Sequence, residues 1–88
     1  MSNPSDPTDK LTSSQHREAA ILNQLRGKGE VPHAVLREAA VSEYAEANVA
    51  DPEYRYDILR LAIVDQMWQM HAKSKIFRNI HKGTWVLC

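Results

Sequence analysis

The apolar residues of the chain recur at helical spacing in its first part. A first helix is predicted to begin at Thr12, because Thr12 and Gln15 have the spacing of a capping box, and to end near Gly27. Its apolar stripe consists of Ala19, Ile21, Leu22 and Leu25. These residues are expected to contribute to the core.

A second helix is predicted from Pro32 to about Ala47, since proline suits the first position of a helix. Glu30 and Val31, just before it, have room for one short bridge of extended chain. The apolar face of this helix is predicted to comprise Val35, Leu36, Ala39, Ala40 and Tyr44.

The third segment predicts a long helix from residue 52 to about residue 72, capped by Asp51 and favoured at its start by Pro52 and Glu53. Its apolar residues cover more than one face when they are wound at 3.6 residues per turn. Such a helix must be buried on several sides, either by the rest of the domain or by a second copy of the chain. The predicted interface residues are Ile63, Met67, Trp68 and Met70.

After Lys73 the apolar residues are set closer together, which favours a hairpin around Lys82 and Gly83. Two registers are open at this point. A two-residue turn would place Ile80 opposite Trp85, whereas a three-residue loop with Gly83 left-handed would place Phe77 opposite Leu87.

Together these segments predict a mainly α fold with a small C-terminal β-hairpin. The expected architecture is a winged helix-turn-helix, with three helices plus a wing. Residues 12–88 would form this domain, and residues 1–11 would be a disordered tail because they offer almost nothing apolar to bury.

Composition adds a location and a charge asymmetry. One cysteine, Cys88, fits a reducing compartment, and no signal peptide or spanning segment is visible, so a cytoplasmic protein is expected. Residues 1–53 carry five Lys/Arg and nine Asp/Glu, whereas residues 54–88 carry six and two. The basic part is a candidate footprint for a polyanion, unless the two parts attract each other within the fold.

The candidate DNA-binding residues lie in this basic part, where they would contact phosphates. They are Arg55, Arg60, Lys73, Lys75, Arg78, His81 and Lys82. No catalytic motif is present, so the sequence does not predict an enzyme or a small-molecule substrate. The four histidines lack metal-ligand spacing, so no metal site is predicted, and no cofactor is predicted either.

The C-terminal residues also resemble a known family. The similarity lies in the Asp51-Pro52-Glu53 helix start, in Phe77 and Ile80, and in the run from Lys82 to Leu87. These residues are similar to the end of HARE-type winged-helix domains. The resemblance implies a protein that binds DNA or that sits as an accessory module on RNA polymerase, chromatin or restriction proteins. The segment from Leu61 to Ala72 departs from a DNA reader, because it contains no Lys or Arg.

Two functions therefore follow as expectations. The first is a small DNA-binding accessory or regulatory protein in transcription, which contacts the backbone of double-stranded DNA through a basic wing. The alternative is a protein-protein interaction module without direct DNA reading. That module would be either a homodimer or an adaptor or inhibitor associated with RNA polymerase or a nucleoprotein complex.

Overall fold

The computed structural model describes residues 12–49, 51 and 54–88 of the chain. It contains three helices and three strands, in the order α1 (Ser13–Leu25), β1 (Val31–Pro32), α2 (His33–Ala47), α3 (Tyr56–Ala72), β2 (Ile76–Asn79) and β3 (Thr84–Leu87). The predicted fold class is confirmed: the chain is mainly α with a small antiparallel sheet, in the order of a winged helix. The predicted tail, residues 1–11, lies outside the described residues, as do Pro52 and Glu53.

The first helix begins where its capping box predicts. The Thr12 hydroxyl accepts a hydrogen bond from the Gln15 amide at 3.1 Å, and the Gln15 side chain accepts one from the Thr12 amide at 2.8 Å. Gly27 follows the helix with a φ of 72°, a conformation that glycine adopts without steric cost.

The sheet connects the hairpin to the start of α2. Strand β3 lies between β1 and β2 and is antiparallel to both. Val31 pairs with Trp85, and the His33 amide donates to the Gly83 carbonyl at 2.9 Å. The short strand predicted at Glu30 and Val31 is therefore present, one residue further along the chain.

Both predicted hairpin registers are wrong. Asn79 pairs with Thr84 and Phe77 with Val86, so residues 80–83 form a longer loop than either prediction allowed. The cause is Asn79, whose carbonyl accepts from the Gly83 amide at 2.8 Å and whose side-chain oxygen accepts from the Lys82 amide at 3.2 Å. These two bonds close the loop, with Gly83 at a φ of 67°.

The predicted start of the third helix is also wrong. The helix begins at Tyr56, and its N-cap residue, Arg55, makes no side-chain capping bond. Asp51 has a tertiary role instead, because its carboxylate accepts hydrogen bonds from the hydroxyls of Ser13 at 2.8 Å and Tyr44 at 2.6 Å. The segment before α3 is thereby connected to α1 and α2.

A Schellman motif ends α3 and directs the chain into the hairpin. The Lys75 amide donates to the Met70 carbonyl at 2.9 Å, and the Ser74 amide donates to the His71 carbonyl at 3.0 Å. Ser74 has a φ of 62°, at the position where glycine is usual. This sharp turn places β2 beside the last turns of α3.

The core draws on all three helices and the sheet. Its large, fully buried side chains are Ile21, Leu25, Leu36, Val41, Tyr44, Leu59, Ile63, Met67, Met70, Ile76 and Trp85. The predicted face of α2 is correct for Leu36, Ala40 and Tyr44, but Val35 is exposed and Ala39 is half-buried. Val41 and Ala45 are buried instead, because both α1 and α3 pack on this helix.

Candidate interaction surface

The side of α3 that faces away from the core is apolar at its centre. Leu61 is 74% exposed, Trp68 is 44% exposed, and Ile58 is exposed as well. Spacings of three and four residues place these side chains on one side of the helix. We call this side the α3 outer face, and it comprises Asp57, Ile58, Leu61, Asp65, Trp68 and Ala72. Large apolar side chains that are exposed together are typical of an interaction surface.

The opposite side of α3 carries most of the interface residues that the sequence predicted. Ile63, Met67 and Met70 have no exposed surface, so these three residues belong to the core of the folded chain and not to an exposed surface. Trp68 alone among the predicted interface residues lies on the α3 outer face. Leu61 and Ile58 were missed because a helix that is apolar on two sides does not reveal which side its neighbours cover.

Trp68 is held in place by other aromatic rings. Its ring lies 5.0 Å from that of the buried Trp85 and 5.7 Å from that of His71, both edge-on. The ring of His71 in turn lies 6.1 Å from that of Phe77, which is exposed on β2. Because packing already restricts Trp68, a partner that covers its exposed part has less side-chain entropy to remove.

His33 forms a hydrogen bond with one ring of this aromatic cluster. The Trp85 indole N–H donates to His33 Nδ1 at 3.0 Å, which requires an unprotonated Nδ1. Burial lowers the pKa of His33, and the positive charges of Arg78 and Arg37 lower it further. The neutral imidazole is therefore the form that fits the folded protein.

The charge of the α3 outer face is negative. Asp57 and Asp65 are exposed, the Gln69 side chain donates to Asp65 at 2.6 Å, and the helix has no Lys or Arg after Arg60. A helix that enters the major groove has to approach phosphates and the acceptor edges of guanine. Two carboxylates beside exposed apolar side chains are poorly suited to that environment.

Arg60, one of the predicted DNA-binding residues, is occupied by a carboxylate of α2. Its Nε and Nη2 atoms donate to the two oxygens of Glu38 at 2.8 and 3.2 Å. Arg37 donates to the same carboxylate at 2.8 Å. The hydrogen bond from Arg60, followed by that from Arg37, lowers the pKa of Glu38, so this carboxylate stays ionised and keeps Arg60 paired.

The hairpin cations also face carboxylates of the N-terminal region. Lys75 Nζ lies 2.5 Å from Glu18, and Lys82 Nζ lies 3.4 Å from Glu30. Together with Arg60 and Glu38, these ion pairs join the basic C-terminal part of the chain to its acidic N-terminal part. At these residues, the opposite charges of the two parts of the sequence therefore attract each other within the fold.

The remaining predicted DNA-binding residues differ in their surroundings. Arg55 lies 3.7 Å from Asp57, and the Arg78 guanidinium lies 5.3 Å from the centre of the Trp85 ring. Lys73 and His81 are exposed, and neither forms an ion pair with a carboxylate of residues 12–49, 51 or 54–88. The structure therefore does not gather the predicted residues into one unpaired basic patch.

Other kinds of site have little support within the described part of the chain. A depression of about 130 Å³ between α1 and α2 is smaller than usual ligand pockets of roughly 300 Å³ or more. Across residues 12–49, 51 and 54–88, no group of three or more His, Cys, Asp or Glu side chains is placed to hold a metal ion. The helices described are also too short or too polar to cross a bilayer.

Comparison of the chain with protein-family models, with curated proteins and with solved structures finds no match.

Proposed function

We propose that this protein is a winged-helix protein-interaction module that docks on another protein surface through the α3 outer face. The observation that carries the proposal is Leu61, which is 74% exposed at the centre of a face that also presents Trp68. A partner that covered these side chains would gain the free energy of removing their apolar surface from water. Tryptophan is among the residues that contribute most often to binding energy at interfaces.

The charges around this apolar centre define the chemistry of the partner. Asp57 and Asp65 flank Leu61 along the helix, so a complementary surface has an apolar centre with basic groups at its edge. The same two carboxylates would repel the phosphates of a DNA duplex. Protein docking is therefore favoured over major-groove reading for this face.

The resemblance of the wing to HARE-type domains supports an accessory role of this kind. In such a role the winged helix would be held on a larger nucleoprotein or polymerase assembly by protein contacts. The assignment to that family is part of the proposal and rests on the wing residues from Lys82 to Leu87.

Site-specific photo-crosslinking tests the docking face. A benzophenone amino acid is placed at Leu61 in the full chain, and the protein is irradiated in nuclease-treated extract of its native host. The matched control carries the same group at Ile80, which is 78% exposed in the hairpin loop. We expect protein adducts at position 61 that are absent at position 80, and equal or absent labelling at both positions would overturn the proposal.

A second candidate function is contact with the DNA backbone through the hairpin. The observation that favours it is that Lys73 and His81 are exposed and form no ion pair with the described carboxylates. Fluorescence anisotropy with a short duplex at low salt tests it, with Lys73→Ala as the variant. Lys28→Ala, which removes an exposed lysine next to Gly27, is the control. Binding that weakens steeply with salt and with Lys73→Ala alone would favour this candidate.

A further inference from the structure

We propose that protonation of His33 breaks its hydrogen bond with Trp85 and thereby loosens Trp68, so that docking at the α3 outer face is regulated by pH. This inference rests on the proposed function, because it names a regulation of the same docking face. It is carried by the one hydrogen bond that satisfies the buried indole of Trp85 and by the ring contact between this indole and Trp68.

The indole N–H of Trp85 has a partner that depends on protonation. Trp85 has no exposed surface, and its N–H donates to His33 Nδ1 at 3.0 Å. A protonated imidazole carries a hydrogen on both nitrogens, so it cannot accept this bond. Protonation without movement would leave a buried donor unsatisfied and would place two N–H groups against each other. The protonated ring is therefore incompatible with the packed arrangement.

The place of His33 in the fold makes a positive charge there unfavourable. It is the first residue of α2, at the positive end of the helix dipole. The guanidinium of Arg78 lies 5.3 Å from the centre of the Trp85 ring, and Arg37 lies one turn along α2, paired with Glu38 at 2.8 Å. Burial, then Arg78 and Arg37, hold the pKa of His33 below its ordinary value of 6.5. A proton therefore binds more tightly to a conformation in which this ring has left its site.

The other elements around α2 identify a second titratable group that has to be distinguished from His33. Strands β1 and β3 contain no side chain that titrates. In the hairpin loop, Lys82 is paired with Glu30 at 3.4 Å. The histidine of α1, His16, lies against the C-terminal part of α2. In α3, however, His71 contacts both tryptophan rings of the aromatic cluster.

Trp68 depends on Trp85 for its position. Its ring lies 5.0 Å from that of Trp85, edge-on, and the side chain is 44% exposed. When Trp85 moves to find another partner for its N–H, Trp68 loses this support and gains rotamers that a docked partner has to remove. We therefore expect docking to weaken as the pH falls through the lowered pKa of His33.

Nuclear magnetic resonance of the full chain, labelled with nitrogen-15, tests the coupling without any partner. The indole N–H signals of Trp68 and Trp85 are followed from about pH 7 to about pH 4.5, a range in which histidine titrates. We expect both signals to shift with one common midpoint below 6.5, while the backbone amide signals remain dispersed as in a folded chain. An unmoved signal from either ring, or collapse of the whole spectrum at that midpoint, would overturn the proposal.

Two substitutions at His33 separate the hydrogen bond from the charge. His33→Gln keeps an acceptor for the indole N–H and does not titrate, so the common midpoint should be lost. His33→Leu removes the acceptor, so at pH 7 its Trp85 N–H should exchange with water at least about tenfold faster than in His33→Gln.

The unchanged chain should resemble each variant in turn. Its Trp85 N–H should exchange as slowly as that of His33→Gln at about pH 7, and at least about tenfold faster than that of His33→Gln at about pH 4.5. This comparison needs only a variant that preserves the bond, so it decides the question even if His33→Leu does not fold. Equal exchange rates at both pH values would overturn the proposal.

His71→Gln is the matched control, because His71 is the other imidazole in contact with both tryptophan rings. The common midpoint should persist in this variant. If it disappears in His71→Gln and remains in His33→Gln, then His71 is the group that titrates and the proposal is overturned.

Failure of this regulation and failure of the proposed function are separable. The indole signals report on the chain alone, whereas photo-crosslinking at position 61 reports on the partner. Where adducts form, their yield should fall about fivefold or more between about pH 7 and about pH 4.5, and clearly less in His33→Gln. An equal fall in both would overturn the regulation and leave docking standing. Coupled indole signals without any specific adduct would overturn docking, and with it this regulation.

Discussion

The two sides of α3 carry similar apolar residues but differ in how far these residues are buried. Leu59, Ile63, Met67 and Met70 on one side are fully buried against α1, α2 and the sheet. Leu61 and Trp68 on the other side are large and apolar as well, yet they remain partly or mostly in water. Residue type alone therefore does not separate the buried side of this helix from its exposed side.

The difference between the two sides lies in their polar neighbours. The buried side includes one polar residue, Gln66, whose side-chain oxygen accepts a hydrogen bond from the Ser14 hydroxyl at 2.9 Å. The outer side carries Asp57 and Asp65, which are exposed and lie at the edge of the apolar centre. Charged groups at the edge of an apolar patch are usual at interfaces, whereas a core seldom holds an unpaired charge.

The largest effect on the free energy of unfolding is expected from shortening one large apolar side chain to alanine on each of the two sides. Met67→Ala should lower the free energy of unfolding by about 2–5 kcal/mol, because it leaves a cavity in the core. Leu61→Ala should change it by less than about 0.5 kcal/mol, because Leu61 is mostly exposed. Urea denaturation at low protein concentration, where a dimer would be dissociated, measures both.

Equal losses for these two variants would contradict the distinction between the sides. Such a result would mean that Leu61 is packed in the folded monomer. A loss at Leu61 that appears only at high protein concentration would instead report a second copy on the α3 outer face.

A smaller effect on the free energy of unfolding is expected when the pH is changed. It arises at His33, next to the contact between Trp68 and Trp85 at the border between the two sides. Burial, then Arg78 and Arg37, hold the pKa of His33 below its ordinary value of 6.5. As pH falls through that value the unfolded chain takes up a proton that the folded chain resists. The free energy of unfolding should therefore decrease as pH falls towards the lowered pKa, and this contribution should then level off.

The variant His33→Gln isolates this contribution. Its amide oxygen can still accept the Trp85 indole N–H, but it does not titrate. Urea denaturation followed by tryptophan fluorescence between about pH 7 and pH 5 should show a shallower decrease for the variant. Identical slopes would show that His33 does not couple protonation to folding.

The smallest effect is expected at the ion pair that joins α2 to the first turns of α3. Hydrogen bonds from Arg60, then Arg37, lower the pKa of Glu38 below its ordinary value of 4.5, so its stabilising contribution is present above that pH. This contribution is lost as pH falls through the lowered pKa. Glu38→Gln should slightly lower the melting temperature at neutral pH and low salt, and the difference should disappear in acid.

Glu46→Gln is the matched control, because Glu46 is an exposed glutamate of the same helix. It should leave the melting temperature nearly unchanged at both pH values. If the two variants behaved alike, or if high salt left the effect of Glu38→Gln intact, the ion pair would not be its cause.

The local elements of the fold were predictable from neighbouring residues. The capping box of Thr12 and Gln15, the position of Pro32 before α2 and the turn at Gly83 all act over a few residues. Because helix and turn signals depend on nearby hydrogen bonds and on side-chain spacing, they remain visible in the sequence. The order of three helices and a hairpin followed from them.

Two of the predicted features were wrong, namely the start of α3 and the register of the hairpin. Asp51 has the residue type of a helix cap, but its carboxylate accepts hydrogen bonds from the hydroxyls of Ser13, which is 38 residues away in the sequence, and of Tyr44, which is 7 residues away. The hairpin register depends on Asn79, which satisfies two amides of the loop at once. In both cases a polar group has several possible hydrogen-bond partners, and the residue types alone do not identify which partner is used.

By itself, the sequence determined that this chain forms three helices and a C-terminal hairpin, and that α3 is apolar on more than one side. Only the tertiary structure decided which side of α3 is covered and which cations of the basic region are paired with Glu18, Glu30 and Glu38. The physical reason is that periodicity describes a helix alone, whereas burial and ion pairing depend on residues brought together from distant parts of the chain.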